Sequence, residues 1–132
     1  MILYLDSSAL VKLVQRESES TALRRYLRRH RSDRRLTSAL ARVEVVRAVA
    51  EGGATAVGMA RRQLGRVDQL AMDAELLDVA ATLNLASRVR SLDAIHLASA
   101  LVVGSELRAV LTYDARMIVA AEELKLPVVA PA

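Results

Sequence analysis

Met1-Ile2-Leu3-Tyr4-Leu5-Asp6-Ser7-Ser8-Ala9-Leu10 opens the chain with an apolar run of strand length that stops at a carboxylate and passes into a helical pattern near Ser7. An apolar run without polar alternation suits a strand covered on both faces, as in the parallel sheet of an α/β fold. In such sheets, groups just past the carboxyl ends of the strands line the ligand crevice. Asp6 falls at that place. Aspartate is also a favoured helix N-cap, so the stretch by itself admits a structural and a chemical reading.

Arg108-Ala109-Val110-Leu111-Thr112-Tyr113-Asp114 repeats the pattern: an apolar strand ends in a carboxylate, and Asp114 can cap a helix from Ala115 to Leu124. Between the two strands, a helix from about Ser20 to His30 turns Leu23, Tyr26 and Leu27 inward. Arg24, Arg25, Arg28 and Arg29 lie elsewhere on it, and Arg31, Arg34 and Arg35 extend the basic block to a short strand or turn around Leu36. Such a block reads either as a solvated face or as a contact for RNA or a partner. Thr37 or Ser38 is expected to cap the next helix, which Gly52-Gly53 ends, with Leu40, Val43, Val46 and Ala50 buried. Glu44 sits beside that stripe, where spacing alone favours a surface pair with Arg47.

A further helix is expected from Ala54 to about Arg66, and Val67 to Ala71 fits a short strand or a helix end. Met72 or Asp73 opens a helix carrying Leu76, Leu77, Ala80, Ala81 and Leu83, and Asn84 to Val89 forms a connection. Ser91-Leu92-Asp93-Ala94-Ile95-His96-Leu97-Ala98 follows, with Ser91 as N-cap and Asp93 in the first turn, where the helix dipole favours a carboxylate. His96 reads as a packed or hydrogen-bonded structural residue and is not nominated as a ligand. Pro127-Val128-Val129-Ala130 reads as a short edge strand.

The 132 residues fit one domain, 1–132. With 53% hydrophobic but only 2% aromatic residues, the core must be aliphatic. No apolar run is long enough to span a membrane, and no basic region precedes the first one, which points to a soluble, cytoplasmic protein. The absence of cysteine excludes disulfides and thiolate metal sites. A net charge of +4 and an isoelectric point near 10.1 favour a polyanionic partner. Nearly all of the positive charge is arginine, whose fork can bond two phosphate oxygens at once.

Each acidic residue has a structural explanation, but their joint pattern suggests chemistry. In a parallel sheet with right-handed crossovers, Asp6 and Asp114 face one crevice, toward which the helix N-terminus carrying Asp93 tends to point. Glu44 can reach in from the rim. Clustered carboxylates repel one another unless a cation compensates them. An all-oxygen donor set suits Mg²⁺ or Mn²⁺ rather than zinc. The chemistry that fits is metal-assisted phosphodiester hydrolysis. No Ser-His-Asp arrangement, phosphate-binding glycine loop or zinc spacing competes with it.

Leu5-Asp6-Ser7-Ser8-Ala9-Leu10, Ala41-Arg42-Val43-Glu44, the Ser91 to Ala98 segment and Thr112-Tyr113-Asp114 resemble, in order, the PIN-domain nucleases and more narrowly the VapC ribonuclease toxins of type II toxin–antitoxin pairs. The resemblance covers nearly the whole chain, and Leu92-Asp93-Ala94-Ile95-His96-Leu97-Ala98 is its most specific part. It implies a three-layer α/β/α fold with a central parallel sheet, and a Mg²⁺- or Mn²⁺-dependent ribonuclease site. Matched onto this chain, Asp6, Glu44, Asp93 and Asp114 are the catalytic and metal-binding acids. Ser8 and Thr112 are hydroxyls that support them through water or hydrogen bonds. The family often has one more acid shortly after the Asp114 position; here Arg116 and Met117 follow. The resemblance also implies an RNA substrate (tRNA and mRNA among the classes), a homodimer, and inhibition by a VapB-like antitoxin in a heterotetramer or larger complex. With Tyr4, Tyr26 and Tyr113 as the only aromatics, RNA binding should lean on arginine–phosphate contacts.

Other readings are a PIN-fold RNA- or protein-binding domain without toxin activity, and a PIN nuclease of RNA processing. A signalling receiver domain would need adjacent acids after the first strand and a lysine after a late strand. Asp6 is instead followed by Ser7-Ser8, and Lys125 sits close to the C-terminus.

Overall fold

The opening apolar run becomes β1 (Ile2–Leu5), the middle strand of a five-stranded sheet in the computed structural model, which describes residues 1–132. The other strands are β2 (Arg34–Ser38), β3 (Asp68–Leu70), β4 (Leu107–Leu111) and β5 (Val128–Val129), in the order β3-β2-β1-β4-β5. Every pairing is parallel. The crossovers are helical: α1 (Ser7–Val14), α2 (Ser20–Arg29), α3 (Ala41–Val49), α4 (Gly53–Leu64), α5 (Ala74–Ala81), α6 (Ser91–Val103) and α7 (Ala115–Glu123).

β1 lacks alternation because both of its faces are covered. Leu3 and Leu5 join Ala109 and Leu111 of β4 beneath α1 to α4, against Leu10, Leu13, Leu23, Val45 and Leu64. Tyr4 faces the other way, into a cluster with Ala100, Leu107 and Val110. The sheet therefore lies between two helical layers, and the three-layer α/β/α arrangement expected from the sequence is what forms. Each fully buried leucine contributes about 1.5–3 kcal/mol. Leu3, Leu5, Leu10, Leu23, Leu97 and Leu111 are all inaccessible, so an aliphatic core suffices. No helix is long and apolar enough to cross a membrane.

Several local expectations change. Thr37 and Ser38 do not cap α3; they complete β2, paired with Gln69 and Leu70 of β3. Sheet pairing takes their backbones, and the Ser38 hydroxyl accepts from the Leu40 N–H at 3.1 Å in the turn beyond. The buried face of α3 is Ala41, Val45 and Val49, while Val43 is 56% exposed and Ala50 is also exposed. This change of stripe leaves Leu40 buried and Val46 partly buried, as expected, but sets Val45 inward in place of Val43. It brings the small Ala41 against the core and turns Glu44 toward α1. Ser91 is the first residue of α6 rather than its cap, the N-cap position being Arg90 without a side-chain bond. Asp93 remains in the first turn. Gly104, at φ +66°, ends α6 in a conformation that favours glycine and turns the chain into β4. Residues 67–71 resolve as β3 rather than as a helix end.

Candidate active site

Because all strands run the same way, the carboxyl ends of β1, β2 and β4 meet at one edge of the sheet. The Asp6 N–H donates to the Leu111 carbonyl at 3.1 Å, extending the β1–β4 pairing into this edge. Asp6 is indeed the N-cap of α1: one carboxylate oxygen accepts from the Ala9 N–H at 3.0 Å and from the Ser8 hydroxyl at 2.6 Å. Its other oxygen accepts from the Thr112 hydroxyl at 2.5 Å. Burial pushes the Asp6 carboxyl above the usual aspartate range, against the pull of these two hydroxyls. Cap and candidate site residue are the same group.

The supporting hydroxyls are held in turn. Ser8 Oγ accepts from the Tyr113 N–H at 2.9 Å, and Thr112 Oγ1 accepts from the Asp114 N–H at 3.2 Å. Asp114 caps α7, its Oδ1 accepting from the N–H groups of Arg116 at 2.9 Å and Met117 at 3.4 Å. Both strand-end aspartates thus fix the orientation of the helix that follows.

Glu44 does not pair with Arg47. Its Oε1 accepts from the Ser7 hydroxyl at 2.7 Å and lies 2.7 Å from His96 Nε2. Burial raises the Glu44 carboxyl, but the hydrogen bonds from His96 and Ser7 outweigh it and hold the group below the usual glutamate range. His96 is 3% exposed, and its Nδ1 lies 2.7 Å from the Tyr4 hydroxyl.

Asp93 differs from the others. It is half-buried and has no hydrogen-bond donor. Burial pushes its carboxyl up, Asp114 adds to the rise, and Glu44 and Asp6 add more against an opposing pull from His96. These influences put the four carboxylates within electrostatic reach of one another. No three His, Asp or Glu side chains close around a point at metal-ligating distance, however. The acids rim a common edge.

The structure adds Ser7 and His96 to the residues of this edge. The sequence suggests a structural His96, and it is buried and hydrogen-bonded, yet its bond is to one of the candidate acids, Glu44. The available signal was spacing: His96 stands three positions after Asp93, on the same face of α6. Tyr4 is fully buried and cannot stack on a base. The ring of Tyr113 carries the Lys12 ammonium 4.7 Å from its centroid, and its hydroxyl donates to the Pro131 carbonyl. The basic block divides as well. Arg34 pairs with Asp68. The end of α2 reaches Asp33, which is bound by Arg108 near the start of β4. The arginines at that end, Arg28, Arg29 and Arg31, therefore lie toward the edge of the sheet opposite the acids.

Comparison with known proteins agrees with this architecture. Residues 3–123 match the PIN domain. The chain is 50% identical over 129 residues to ribonuclease VapC46 of Mycobacterium tuberculosis strain H37Rv, covering 98% of this chain and 97% of that protein. It is 43% identical over 132 residues to ribonuclease VapC35 of the same strain, with the same coverage. The crystal structure of Mycobacterium tuberculosis VapC20, a toxin that cleaves the sarcin–ricin loop, superposes with a TM-score of 0.75 at 17% identity, covering 98% of this chain and 99% of that one. That last likeness speaks to the fold. A PIN-domain match over most of the chain and relatives 43–50% identical along its length establish that the protein belongs to the PIN-domain family, among the VapC ribonucleases.

Proposed function

We propose that this chain is a Mg²⁺- or Mn²⁺-dependent endoribonuclease that hydrolyses RNA phosphodiester bonds through Asp6, Glu44, Asp93 and Asp114. The observation that carries the reading is Asp93, a half-buried carboxylate without a donor, pushed up by burial and by three neighbouring acids. A cluster of this kind is stabilised at neutral pH by a positive charge in its midst. The donors are carboxylate oxygens, with His96 Nε2 turned onto Glu44, and such a set fits a hard cation. The four acids would hold it. When bound, a divalent ion of this type supplies Lewis acidity, making water a nucleophile and neutralising charge that develops at phosphorus.

The protein's own contribution is orientation. Ser8 and Thr112 clamp Asp6, and Ser7 and His96 clamp one oxygen of Glu44. The first N–H groups of α7 clamp one oxygen of Asp114. Each clamped carboxylate keeps one edge directed while its charge environment changes. Exposed Arg88, Arg90 and Arg116 flank Asp93 and Asp114 in sequence and are suited to the RNA backbone.

The family also supports a VapB-like antitoxin as inhibitor, and an antitoxin-bound heterotetramer or larger complex built on a homodimer. The reading is of a single nuclease domain over 1–132, acting in the cytoplasm on RNA such as tRNA or mRNA. The test is cleavage of RNA by the antitoxin-free protein with Mg²⁺ or Mn²⁺, with chelator, and with Asp93→Asn. Cleavage abolished by both chelator and substitution is the expected result. Cleavage that survives in the variant would remove Asp93 from the site. If total RNA is not cut, Mn²⁺ binding by the wild type but not by the variant is expected, and its absence would favour a binding module.

A further inference from the structure

A chain of buried polar contacts runs from the sheet to the site edge: Tyr4 on β1, His96 on α6, Glu44 on α3. Tyr4 is inaccessible, its hydroxyl 2.7 Å from His96 Nδ1, and His96 Nε2 is 2.7 Å from Glu44 Oε1. These contacts fix the donors. An ionised carboxylate only accepts, so the proton of the imidazole must sit on Nε2. In the neutral imidazole Nδ1 then carries a lone pair, and the tyrosine hydroxyl donates to it. Burial pushes the phenol well above its ordinary range, so that hydroxyl keeps its proton. The Thr37 hydroxyl, buried and otherwise without a hydrogen-bond partner, stands beside the Tyr4 hydroxyl at the inner end of the chain.

We propose that His96 is a positioning residue for Glu44, and that the Tyr4 hydroxyl acts through it by holding its proton on Nε2. Together with Ser7, it saturates Glu44 Oε1 and leaves Oε2 for the site. The alternative tautomer would set an imidazole lone pair against a carboxylate oxygen and drive Glu44 off. A residue with no contact to substrate thereby sets the geometry of one that has it. Histidine partners that fix ligand orientation through a second hydrogen bond follow the same logic around metals. This inference rests on the reading of Glu44 as a site carboxylate.

Two measurements test it. The first is long-range ¹H–¹⁵N NMR of the imidazole in the metal-free, antitoxin-free protein. Wild type is expected to give the pattern of the Nε2–H tautomer, and Tyr4→Phe a mixture. A wild-type Nδ1–H pattern would overturn the proposal. The second is Mn²⁺ affinity, read by electron paramagnetic resonance. Tyr4→Phe, which keeps the ring and packing, and His96→Leu are expected to weaken binding by ~10-fold or more. His96→Gln, whose amide can still donate to Glu44, should recover most of the loss. In a Glu44→Gln background, Tyr4→Phe should have no further effect. An undiminished affinity in a folded Tyr4→Phe protein, or equal effects in both backgrounds, would overturn the positioning role. Wild-type affinity in Glu44→Gln itself would instead overturn Glu44 as a ligand, while the NMR arm still decides the tautomer.

Discussion

The Thr112 hydroxyl donates to the Asp6 carboxylate at 2.5 Å, joining the ends of β1 and β4 across 106 residues of sequence. Both groups are buried, so neither has water as a substitute. Replacing Thr112 with Val keeps the shape and removes the donor to Asp6 along with the acceptor for the Asp114 N–H. Leaving buried polar groups unpaired costs about 1–3 kcal/mol. Thr112→Val should lower stability by that amount in urea unfolding and reduce RNA cleavage by ~10-fold or more.

Asp114 offers a way to separate fold from chemistry. Asn is as good an N-cap as Asp, and Ala is not. Asp114→Asn should leave stability within about 0.5 kcal/mol of wild type, whereas Asp114→Ala should lose about 1 kcal/mol. Both should lose at least ~100-fold in cleavage if the charge is needed for the reaction. Comparable activity in Asp114→Asn and wild type would reduce Asp114 to a cap.

Asp93 should behave in the opposite way. Its folded-state carboxyl lies above the ordinary value, so its favourable contribution is complete below the unfolded value and is lost as pH rises through the folded one. At neutral pH and without metal, ionised Asp93 therefore opposes folding. Asp93→Asn should raise the melting temperature in chelator, by about 0.5 kcal/mol in stability, the scale of a partly exposed charge interaction. Added Mn²⁺ should stabilise the wild type and not the variant. A destabilised variant in chelator would return Asp93 to a purely helical role.

Asp33 controls acid resistance at the other edge. Arg108 donates to it, and this chiefly holds its carboxyl down at about 2, against burial. The folded value is depressed below 3.8, so the contribution is present above that pH and fades as pH falls toward about 2. Arg108→Gln should move the acid unfolding midpoint upward and leave nuclease activity at neutral pH intact. Circular dichroism against pH reads the shift.

RNA contacts should also divide by position. Arg88 and Arg116 line a cleft of about 630 Å³ with Ser87, Ala115 and Val119, directly beyond Asp114. Arg116→Gln should weaken RNA binding at low salt and reduce the slope of log affinity against log salt by about 0.7–0.9, one phosphate contact. Arg28→Gln, at the far end of α2, should leave the slope unchanged.

The sequence displayed the sheet well because its signals are local. An apolar run that ends in Asp marks β1 and β4, and the caps Asp6 and Asp114 follow from position alone. The phase of α3 was not legible, because whether Val43 or Val45 is buried depends on how close Ala41 comes to α1. The Glu44 partners were hidden for a similar reason: Ser7 and His96 stand 37 and 52 residues away, while Arg47 is a turn away. Thr37 and Ser38 looked like caps because a short β3 on their far side left little mark in the sequence. Contacts set by tertiary packing were the ones that spacing could not supply.

The central place of β1 bears on how the protein is made. β1 precedes the other four strands in the sequence and has β2 on one side, but its other side waits for β4. Asp6 stays without its Thr112 donor, and the edge lacks Asp114, until residues 107–114 have emerged. A chain of this topology cannot bring its candidate acids together until β4 has been translated.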